Sequence, residues 1–335
     1  MGQKPLVVVT DHLAEAGVEK PVLEGIADLL LLQTGEERVV QERGTGADIL
    51  LVYHDIRLTA ATVESLPRCK AIIRCGVGVD NVDLQAAGRN GIVVCNVPDY
   101  GTEEVADHAL MSMLAIARRL VPSHEAIREG RWDVTTAFGT PRMRGKTLGI
   151  VGCGRIGTAM ARRGLALGMR VVFFDPNLPD GVDKALGVER VYTLEELLPQ
   201  SEFLSLHCPL NASTRHLLND RTLALLPKGA YVVNTARGGV IDGRALVASL
   251  DAGHVAYAAL DVVEREPLDD EAIRQHPRLL LTPHSAFYSV EAFNEMRTKG
   301  AMEARRVIRG EAVRNPVNLG WLTNPRAAIK ASGTA

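Results

Sequence analysis

The sequence predicts an α/β protein that contains two doubly wound parallel sheets, and two observations support that prediction. Short apolar, β-branched runs alternate with segments of helical character in two separate sets, which is the pattern of parallel sheets joined by crossover helices. The chain has 335 residues, more than a single ordinary core organises, so roughly two domains of about 100–200 residues each are expected.

The first set of strand candidates lies in the first hundred residues. It consists of four apolar runs, PLVVVT, ADILLVY, KAIIRC and GIVVCN. The second set begins at Thr147 and consists of six runs, TLGIVG, RVVFFD, EFLSLHCP, GAYVVNTA, VAYAALDV and RLLLTPH. Helical segments separate most of these runs, so each set predicts a parallel sheet with helices packed on it.

Two longer amphipathic stretches flank the second set. Apolar residues between Val105 and Ala117 recur with a helical period after Thr102, a candidate N-cap, and predict one long helix across residues 102–132. The stretch from Val290 to Arg309 follows the last strand candidate and predicts a final helix.

Composition favours a small-molecule partner. The formal net charge is −2, with 46% apolar and 23% charged residues, so no electrostatic argument favours nucleic acid or an anionic membrane. The five cysteines are scattered and include no C-x-x-C pair, which predicts neither disulfides nor a metal site. With no signal-peptide pattern and no apolar run of ~18 residues, a cytoplasmic location is expected.

Residues 148–176 read LGIVGCGRIGTAMARRGLALGMRVVFFDP, which places three glycines between a strand candidate and a helix candidate. Gly152 allows a tight turn, Gly154 lets a pyrophosphate approach the backbone, and Gly157 lets helix and strand pack closely. The start of the helix then attracts the anion. A glycine turn that binds nothing is the alternative.

Asp175 ends the next strand candidate, near the distance at which an acidic residue binds the ribose hydroxyls of a dinucleotide. A 2′-phosphate at that place would meet a carboxylate, so NAD is predicted over NADP. Arg155 could soften this preference, and Asp175 could instead be a turn residue before Pro176.

Three further strand ends carry polar residues, in NTARGG, DVVEREP and TPHSA. Arg237 offers a planar fork of donors that suits a carboxylate, although a surface salt bridge is the alternative. His284 could exchange a proton near neutral pH, and Glu266 could accept its second N–H and favour the protonated imidazole. His207, near another predicted strand end, is the second histidine to consider.

Several motifs together resemble the D-isomer-specific 2-hydroxyacid dehydrogenases over about residues 45–318. They are GVGVDNVD, CNVP, VADHAL, RGKTLGIVGCGRIG, HCPL, NTARGGVID, ALDVVEREP and TPHSA. Within that family, FFDPNLPDGVDKALGVERVYTLEELL and HSAFYSVEAF are most similar to the C-terminal binding protein branch. The resemblance implies a Rossmann NAD domain at residues 101–289, inserted in a flavodoxin-like substrate domain made of residues 1–100 and 290–335.

The resemblance also implies roles for individual residues. The family's catalytic residues fall on Arg237, Glu266 and His284. Its substrate contacts fall on Cys75, Gly76, Val77, Gly78, Val79, Arg237, His284 and Phe287. Its cofactor contacts, beyond the three glycines, fall on Thr102, Arg155, Ile156, Asp175, Cys208, Pro209, Thr214, Thr235, Ala236, Arg237, Asp261 and His284. Asp261 would hold the nicotinamide amide.

The resemblance implies an NAD-dependent enzyme that interconverts a 2-oxo acid and a D-2-hydroxy acid, built as a homodimer that could pair into a tetramer. The alternative is an NAD(H)-sensing, co-repressor-like scaffold that binds proteins. A third reading, a formate or phosphite dehydrogenase, is disfavoured for formate because that relative carries glutamine at the place of Glu266. Residues 284–288 read HSAFY where the co-repressors have histidine, two alanines, tryptophan and tyrosine, so their substrate preference is not carried over.

Overall fold

The computed structural model of the protein describes residues 3–11 and 13–330. Contacts divide the described chain into two compact units. Unit 1 takes the described residues of Met1–Gly101 and Ser289–Ala335, and unit 2 is Thr102–Tyr288. The chain therefore leaves unit 1 once, forms unit 2, and returns.

Unit 1 contains a parallel sheet of five strands in the order β2-β1-β3-β4-β5, the flavodoxin-like arrangement. Its strands are β1 (Leu6–Val9), β2 (Asp28–Leu31), β3 (Ile49–Val52), β4 (Ala71–Arg74) and β5 (Val93–Asn96). Its first helices are α1 (Glu19–Leu23), α2 (Glu37–Arg43), α3 (Ala60–Glu64) and α4 (Leu84–Arg89).

The sequence analysis missed one strand of this sheet. The run DLLL, Asp28–Leu31, forms β2 at the edge of the sheet, where it pairs only with β1 among the described strands. An edge strand is covered on fewer sides than a central one, and these residues are accordingly half-buried or exposed. The apolar run of this segment, residues 29–32, is as long as those of β3 and β4 but consists of leucines, which favour helices, where theirs contain isoleucine or valine, so the strand signal is weaker.

Unit 2 contains a parallel sheet of seven strands in the order β12-β11-β10-β9-β6-β7-β8. Its helices are α5 (Thr102–Ala117), α6 (Leu120–Arg128), α7 (Arg155–Ala166), α8 (Val182–Leu186), α9 (Leu194–Leu197), α10 (Asp220–Leu223), α11 (Gly243–Asp251) and α12 (Glu271–Arg274). Its strands are β6 (Thr147–Val151), β7 (Arg170–Phe174), β8 (Glu189–Val191), β9 (Phe203–Leu206), β10 (Ala230–Asn234), β11 (Val255–Leu260) and β12 (Leu279–Leu281).

The order of this sheet reverses at β6, which pairs with β7 on one side and with β9 on the other. Such a reversal is the topological switch point of a doubly wound sheet, where the loops at the carboxyl ends diverge and leave a crevice for a ligand. The fold class predicted from the sequence, two doubly wound parallel sheets, is therefore confirmed.

Two local predictions for unit 2 were wrong. The sheet has a seventh strand, β8, of three residues that are half-buried or exposed. The long helix predicted over residues 102–132 is broken, because Arg119 adopts a left-handed conformation with φ of +50° between α5 and α6. A left-handed residue cannot continue a right-handed helix. Pro122, in the first turn of α6, is a signal of a new helix start that the prediction of one long helix overlooked.

The chain returns to unit 1 as α13 (Val290–Ile308), which packs against α1, β3 and β4. The apolar face of α13 is buried, as the helical period predicts. Ser289 is the N-cap of this helix, because its hydroxyl accepts a hydrogen bond from the N–H of Ala292. Among the described residues, no helix combines the length and the apolar character needed to cross a membrane.

Candidate active site

The cleft at the switch point of unit 2 lies at the carboxyl ends of β6, β7 and β9. It has a volume of about 630 Å³. Six residues predicted to bind the cofactor line it: Gly152, Gly154, Asp175, Cys208, Pro209 and Thr214. A crevice of this size at this place of an open α/β sheet suits a nucleotide.

The three glycines after β6 differ in what surrounds them. Gly152 has a φ of +84°, and a side chain there would lie 2.8 Å from the backbone nitrogen of Cys208. At Gly157 a Cβ would lie 2.0 Å from the carbonyl oxygen of Gly152, whereas at Gly154 it would meet nothing within 4 Å. Gly152 and Gly157 are therefore required by close packing, while Gly154 leaves open space above the first turn of α7. This arrangement fits a pyrophosphate.

Asp175 follows β7 directly, and two backbone groups hold its carboxylate. Oδ2 accepts a hydrogen bond of 2.9 Å from the N–H of Cys153, inside the glycine loop, and Oδ1 accepts one of 2.9 Å from the N–H of Asn177. A carboxylate has about four acceptor sites, so hydroxyl groups of a ribose can still be bound.

The other cofactor contacts that the resemblance implies lie on the same side of unit 2. Arg155 and Ile156 begin α7, and Thr102 begins α5. The Thr235 hydroxyl, just after β10, is buried and has no hydrogen-bond partner among the described residues. Because a buried hydroxyl normally has a partner, this orphan is a second observation that fits a bound cofactor.

His284 and Glu266 form a hydrogen-bonded pair. Nδ1 of His284 lies 2.7 Å from Oε2 of Glu266, and the other carboxylate oxygen accepts a hydrogen bond of 3.2 Å from the N–H of Val263. The His284 side chain is 21% exposed, so its second ring nitrogen belongs to a group that solvent or a ligand can reach. A carboxylate on Nδ1 orients the ring and stabilises its protonated form.

Asp261, after β11, organises the turn that carries His284. Its Oδ1 accepts hydrogen bonds from the Thr282 hydroxyl at 2.6 Å and from the N–H of Ser285 at 3.0 Å, and its Oδ2 accepts one of 2.9 Å from the N–H of Ala286. The backbone oxygen of Asp261 also accepts from the N–H of His284 at 2.8 Å. The turn needs this support because His284 has a φ of +52°, in the left-handed region.

Arg237 follows β10 and is half-buried. One of its guanidinium nitrogens, Nη1, donates to the carbonyl oxygen of Ala236 at 2.8 Å, and its own carbonyl oxygen accepts from the Asn234 side chain at 2.9 Å. The neighbouring Gly238 leaves no room for a side chain, since a Cβ would lie 1.9 Å from the carbonyl carbon of Val263. The Arg237 loop therefore packs on the loop that leads to Glu266.

Two further residues near these loops were considered from the sequence. Phe287 lies edge-on to the His284 ring with 6.5 Å between ring centroids. His207, the second histidine of interest, is half-buried and lines the nucleotide cleft, and its Nε2 lies 2.9 Å from the Ser205 hydroxyl. Burial lowers the pKa of His207 to about 4, so its ring is neutral near pH 7 and is not the acid that reduction of a carbonyl needs.

The loop Cys75–Val79 belongs to unit 1 and follows β4. The carbonyl oxygens of Gly76 and Val77 accept hydrogen bonds from the N–H of Val97 and the side chain of Asn96. Within the described chain, the N–H groups of residues 76–79 donate no hydrogen bond. Successive open N–H groups of this kind form a concave site for an anion.

Sequence reasoning missed Arg74, the last residue of β4. Its side chain is buried beneath the loop, with Nη1 donating to the carbonyl oxygen of Cys75 at 3.2 Å. A side chain at Gly76 would collide with that guanidinium, at 1.2 Å. The sequence contained a signal for Arg74, because it is an arginine within the apolar run KAIIRC. A cation that is buried at a strand end is usually paired or belongs to a functional site.

Comparisons with known proteins show what this chain is similar to. Residues 110–286 match the family model "D-isomer specific 2-hydroxyacid dehydrogenase, NAD binding domain". The chain is 36% identical over 313 residues to the D-3-phosphoglycerate dehydrogenase of Methanocaldococcus jannaschii, covering 93% of this chain and 59% of that protein. It is 35% identical over 339 residues to C-terminal-binding protein 1 of Caenorhabditis elegans, covering 98% of this chain and 46% of that protein.

The chain thus spans about half the length of these curated relatives. A solved structure matches over nearly the whole length of both chains: a glyoxylate reductase from Paecilomyes thermophila aligns with a TM-score of 0.86 and 31% identity, over 95% of this chain and 99% of the other.

Proposed function

Because this chain belongs to the D-isomer specific 2-hydroxyacid dehydrogenase family, we propose that it interconverts a 2-oxo acid and a D-2-hydroxy acid with NAD(H). The observation that carries the proposal is the His284–Glu266 pair, 2.7 Å apart. Reduction of a carbonyl requires a proton donor for the oxygen, and this pair is built to hold and deliver one.

The chemistry divides between cofactor and protein. A bound nicotinamide supplies or accepts the hydride. His284 delivers a proton to the carbonyl oxygen in reduction and removes it from the hydroxyl in oxidation. Glu266 keeps Nδ1 of the ring protonated and the ring oriented, so that Nε2 is the atom that exchanges the proton with substrate.

Arg237 supplies the positive charge beside the reacting group. Its guanidinium, which donates from Nη1 to the carbonyl oxygen of Ala236, is a planar fork of five N–H donors, a shape that suits a carboxylate or a carbonyl oxygen. The packing of Gly238 against Val263 holds Arg237 and the Glu266 loop in one arrangement, which is what a preorganised electrostatic site requires.

The substrate is to be identified by turnover. NADH oxidation is measured with glyoxylate, hydroxypyruvate, pyruvate, phenylpyruvate and 4-methylthio-2-oxobutanoate, and NAD reduction with 3-phosphoglycerate, which the name of one relative suggests. Turnover of any of these acids supports the proposal. If every acid is inert while NADH binds tightly, the enzyme proposal fails.

The second candidate is an NAD(H)-sensing scaffold of the C-terminal binding protein branch, favoured by the 35% identity to the Caenorhabditis elegans protein. The phosphoglycerate dehydrogenase is equally similar, at 36%, so identity does not select this branch. The His284–Glu266 pair favours the enzyme, because a scaffold needs no group that donates a proton to a carbonyl oxygen.

We propose NAD(H) rather than NADP(H) as the cofactor because of the surroundings of Asp175. Arg190 is the cation beside this loop, and it donates to the carbonyl oxygens of Asp175, Leu178 and Pro179 at 2.8–3.0 Å. Its side chain is only 6% exposed. A 2′-phosphate would therefore face the Asp175 carboxylate, and the guanidinium of Arg190 could not turn toward it.

Replacing Asp175 by Ala is expected to narrow the preference for NAD(H). Losing hydrogen bonds from the ribose to a charged group should weaken NADH binding by roughly tenfold or more and leave NADPH binding nearly unchanged. Fluorescence titration with both cofactors measures the ratio. Asp183→Ala is the control, since Asp183 is another acidic residue after β7, in the first turn of α8, and does not line the cleft. Equal affinity of the unchanged protein for both cofactors contradicts the assignment.

We also propose that two copies of this chain associate through an apolar arm of unit 2. Seven large apolar side chains with high exposure lie within residues 111–138: Met111, Leu120, Val121, Ile127, Trp132, Val134 and Phe138. Trp132 is 91% exposed. So many exposed large apolar side chains in one segment are unusual for a monomer, and a self-complementary patch leads to a closed dimer.

Charging this arm is expected to split the dimer. Trp132→Asp should shift the mass in sedimentation or light scattering toward one chain, because a buried carboxylate in an apolar interface is unfavourable. Trp321→Asp is the control, since Trp321 is the other tryptophan and lies in unit 1. A monomer for the unchanged protein at micromolar concentration would refute the dimer, whereas a tetramer would not.

A further inference from the structure

Unit 1 contains a small pocket that none of the predicted functional residues lines. It lies between residues 96–99 after β5, the last turns of α13 and residues 311–315, and has a volume of about 160 Å³. We call it the arginine pocket. Its walls carry five cationic side chains, Lys299, Arg305, Arg306, Arg309 and Arg314, and three carboxylates, Asp99, Glu303 and Glu311.

The three carboxylates of the arginine pocket are already engaged. Asp99 pairs with Lys299 at 2.9 Å, and Glu311 pairs with Arg306 at 3.0 Å. Glu303 is buried and accepts a hydrogen bond of 2.5 Å from the N–H of Arg314, and Nε of Arg306 lies 3.8 Å away. The carboxylates therefore form ion pairs with two of the five cations, Lys299 and Arg306.

The remaining three cations have no such partner. Within residues 3–11 and 13–330, the guanidinium groups of Arg305, Arg309 and Arg314 form no hydrogen bond and no close ion pair. Burial raises the pKa of Glu303, and the nearby charges of Arg306 and Arg314 offset part of that rise. Arg305 is half-buried, so its charge is partly removed from water without compensation. Cations at the end of α13 offset the partial negative charge of its carbonyl groups. That accounts for part of the charge of Arg305 and Arg309, and Arg314 lies near Glu303, but five cations against three carboxylates still leave the pocket with a net positive charge.

We propose that the arginine pocket binds a small, multiply charged oxyanion, for which a phosphate group is the best match. Guanidinium forks match the geometry of phosphate and carboxylate oxygens, and several of them around one cavity favour a dianion over a monoanion. The volume admits a phosphate group or a small dicarboxylate and excludes a nucleotide.

The position of the pocket gives such a ligand a route to the loop Cys75–Val79. Asn96 lines the pocket and donates from Nδ2 to the carbonyl oxygen of Val77 at 2.7 Å, and Val97 lines it and donates to the carbonyl oxygen of Gly76 at 3.0 Å. An anion that holds residues 96–99 therefore stabilises that loop. This effect on the loop rests on the proposed function, because the loop matters to turnover only if it binds substrate, as the resemblance to the dehydrogenase family implies. Binding of the anion to the arginine pocket does not rest on that function.

Calorimetric titration of the full chain with inorganic phosphate at constant ionic strength tests the site. We expect saturable binding that Arg305→Gln and Arg309→Gln each weaken by roughly tenfold or more, the size of a lost charge-assisted hydrogen bond. Arg43→Gln is the matched control, because Arg43 is another exposed arginine at the end of a helix in unit 1, away from the pocket. It should bind phosphate like the unchanged protein.

Three results would overturn the proposal: no saturable binding, equal binding by the Arg309→Gln protein, or acetate binding as tightly as phosphate. Arg305 is half-buried and Arg309 is exposed. If the Arg305→Gln protein fails to fold, the Arg309→Gln protein provides the test. Where a substrate is known, phosphate should also change its KM in the unchanged protein and not in Arg309→Gln. A KM that phosphate leaves alone, with binding intact, overturns the link to the loop and spares the site.

Discussion

Replacing His284 by Ala should lower kcat on the best substrate by a factor on the order of 10²–10⁴, the usual loss when a general acid is removed. NADH binding should change little, because the nucleotide cleft is lined by residues after β6, β7 and β9 and His284 follows β12. The expected signature is therefore a large fall in kcat with a nearly constant dissociation constant for NADH, measured by steady-state kinetics and by fluorescence titration.

The same strand provides the control. His276 precedes β12 and lies 3.3 Å from the carboxylate of Asp251, so it forms a histidine–carboxylate pair at the amino end of the strand that carries His284 at its carboxyl end. His276→Ala removes a similar pair and should leave kcat within a few-fold. Near-normal turnover of His284→Ala would show the catalytic assignment to be wrong. His207 is a poor replacement, because burial lowers its pKa to about 4.

Much of the fold could be predicted because its signals are local. The strands β3 and β4 are buried on both faces and appear as continuous apolar runs, and the three glycines lie between a strand and a helix as their spacing indicates. Strand order did not follow from the sequence alone, since it depends on which runs pair. It was implied by the resemblance to a family of known architecture.

The elements that were missed depend on tertiary surroundings. The short strands β2 and β8 lie at sheet edges. Each has one neighbouring strand and is only partly buried, so its sequence carries a weaker strand signal. The break at Arg119 is stabilised by packing of its guanidinium 5.6 Å over the Tyr257 ring, a contact between residues far apart in sequence. Pro122 marks a helix break in the local sequence, but the contact that stabilises the break is not visible there.

The candidate active site could also be predicted only in part. Strand-end positions of Arg237, Glu266 and His284 could be inferred from the sequence, but the hydrogen bonds that make Asp261 the support of the His284 turn could not. Asp261 was expected to hold the nicotinamide amide. Binding of the nicotinamide amide stays a prediction. The three hydrogen bonds that the Asp261 carboxylate accepts give Asp261 a second role, positioning the His284 turn, which no motif indicates.

Unit 1 depends on one buried ion pair. Glu19 begins α1 and is fully buried, and its carboxylate accepts hydrogen bonds of 2.7 Å from both Nε and Nη2 of Arg297 in α13. The Tyr53 hydroxyl donates to the same carboxylate at 2.9 Å. Burial, followed by the neighbouring Cys75 and Glu19, raises the pKa of Tyr53 well above its usual value, which keeps it a donor. The pair joins the first helix of the unit to the last.

Arg297→Met should therefore lower the free energy of unfolding of unit 1 by about 3–5 kcal/mol, because it leaves the Glu19 carboxylate buried without its cation. Denaturant unfolding can be followed for this unit alone: the chain has two tryptophans, and in a Trp132→Phe background the fluorescence reports Trp321. The midpoint should fall while the dependence on denaturant stays nearly constant.

The exposed pair Arg38–Glu42 provides the comparison, with side chains 75% and 56% exposed and 3.6 Å between charged atoms. Arg38→Met should cost below about 1 kcal/mol, since solvent screens the pair. Adding Glu19→Gln to Arg297→Met should recover part of the loss, because an uncharged amide is far less costly to bury than an unpaired carboxylate. If Arg297→Met unfolds at the same denaturant concentration as Arg38→Met, the pair does not hold α1 against α13.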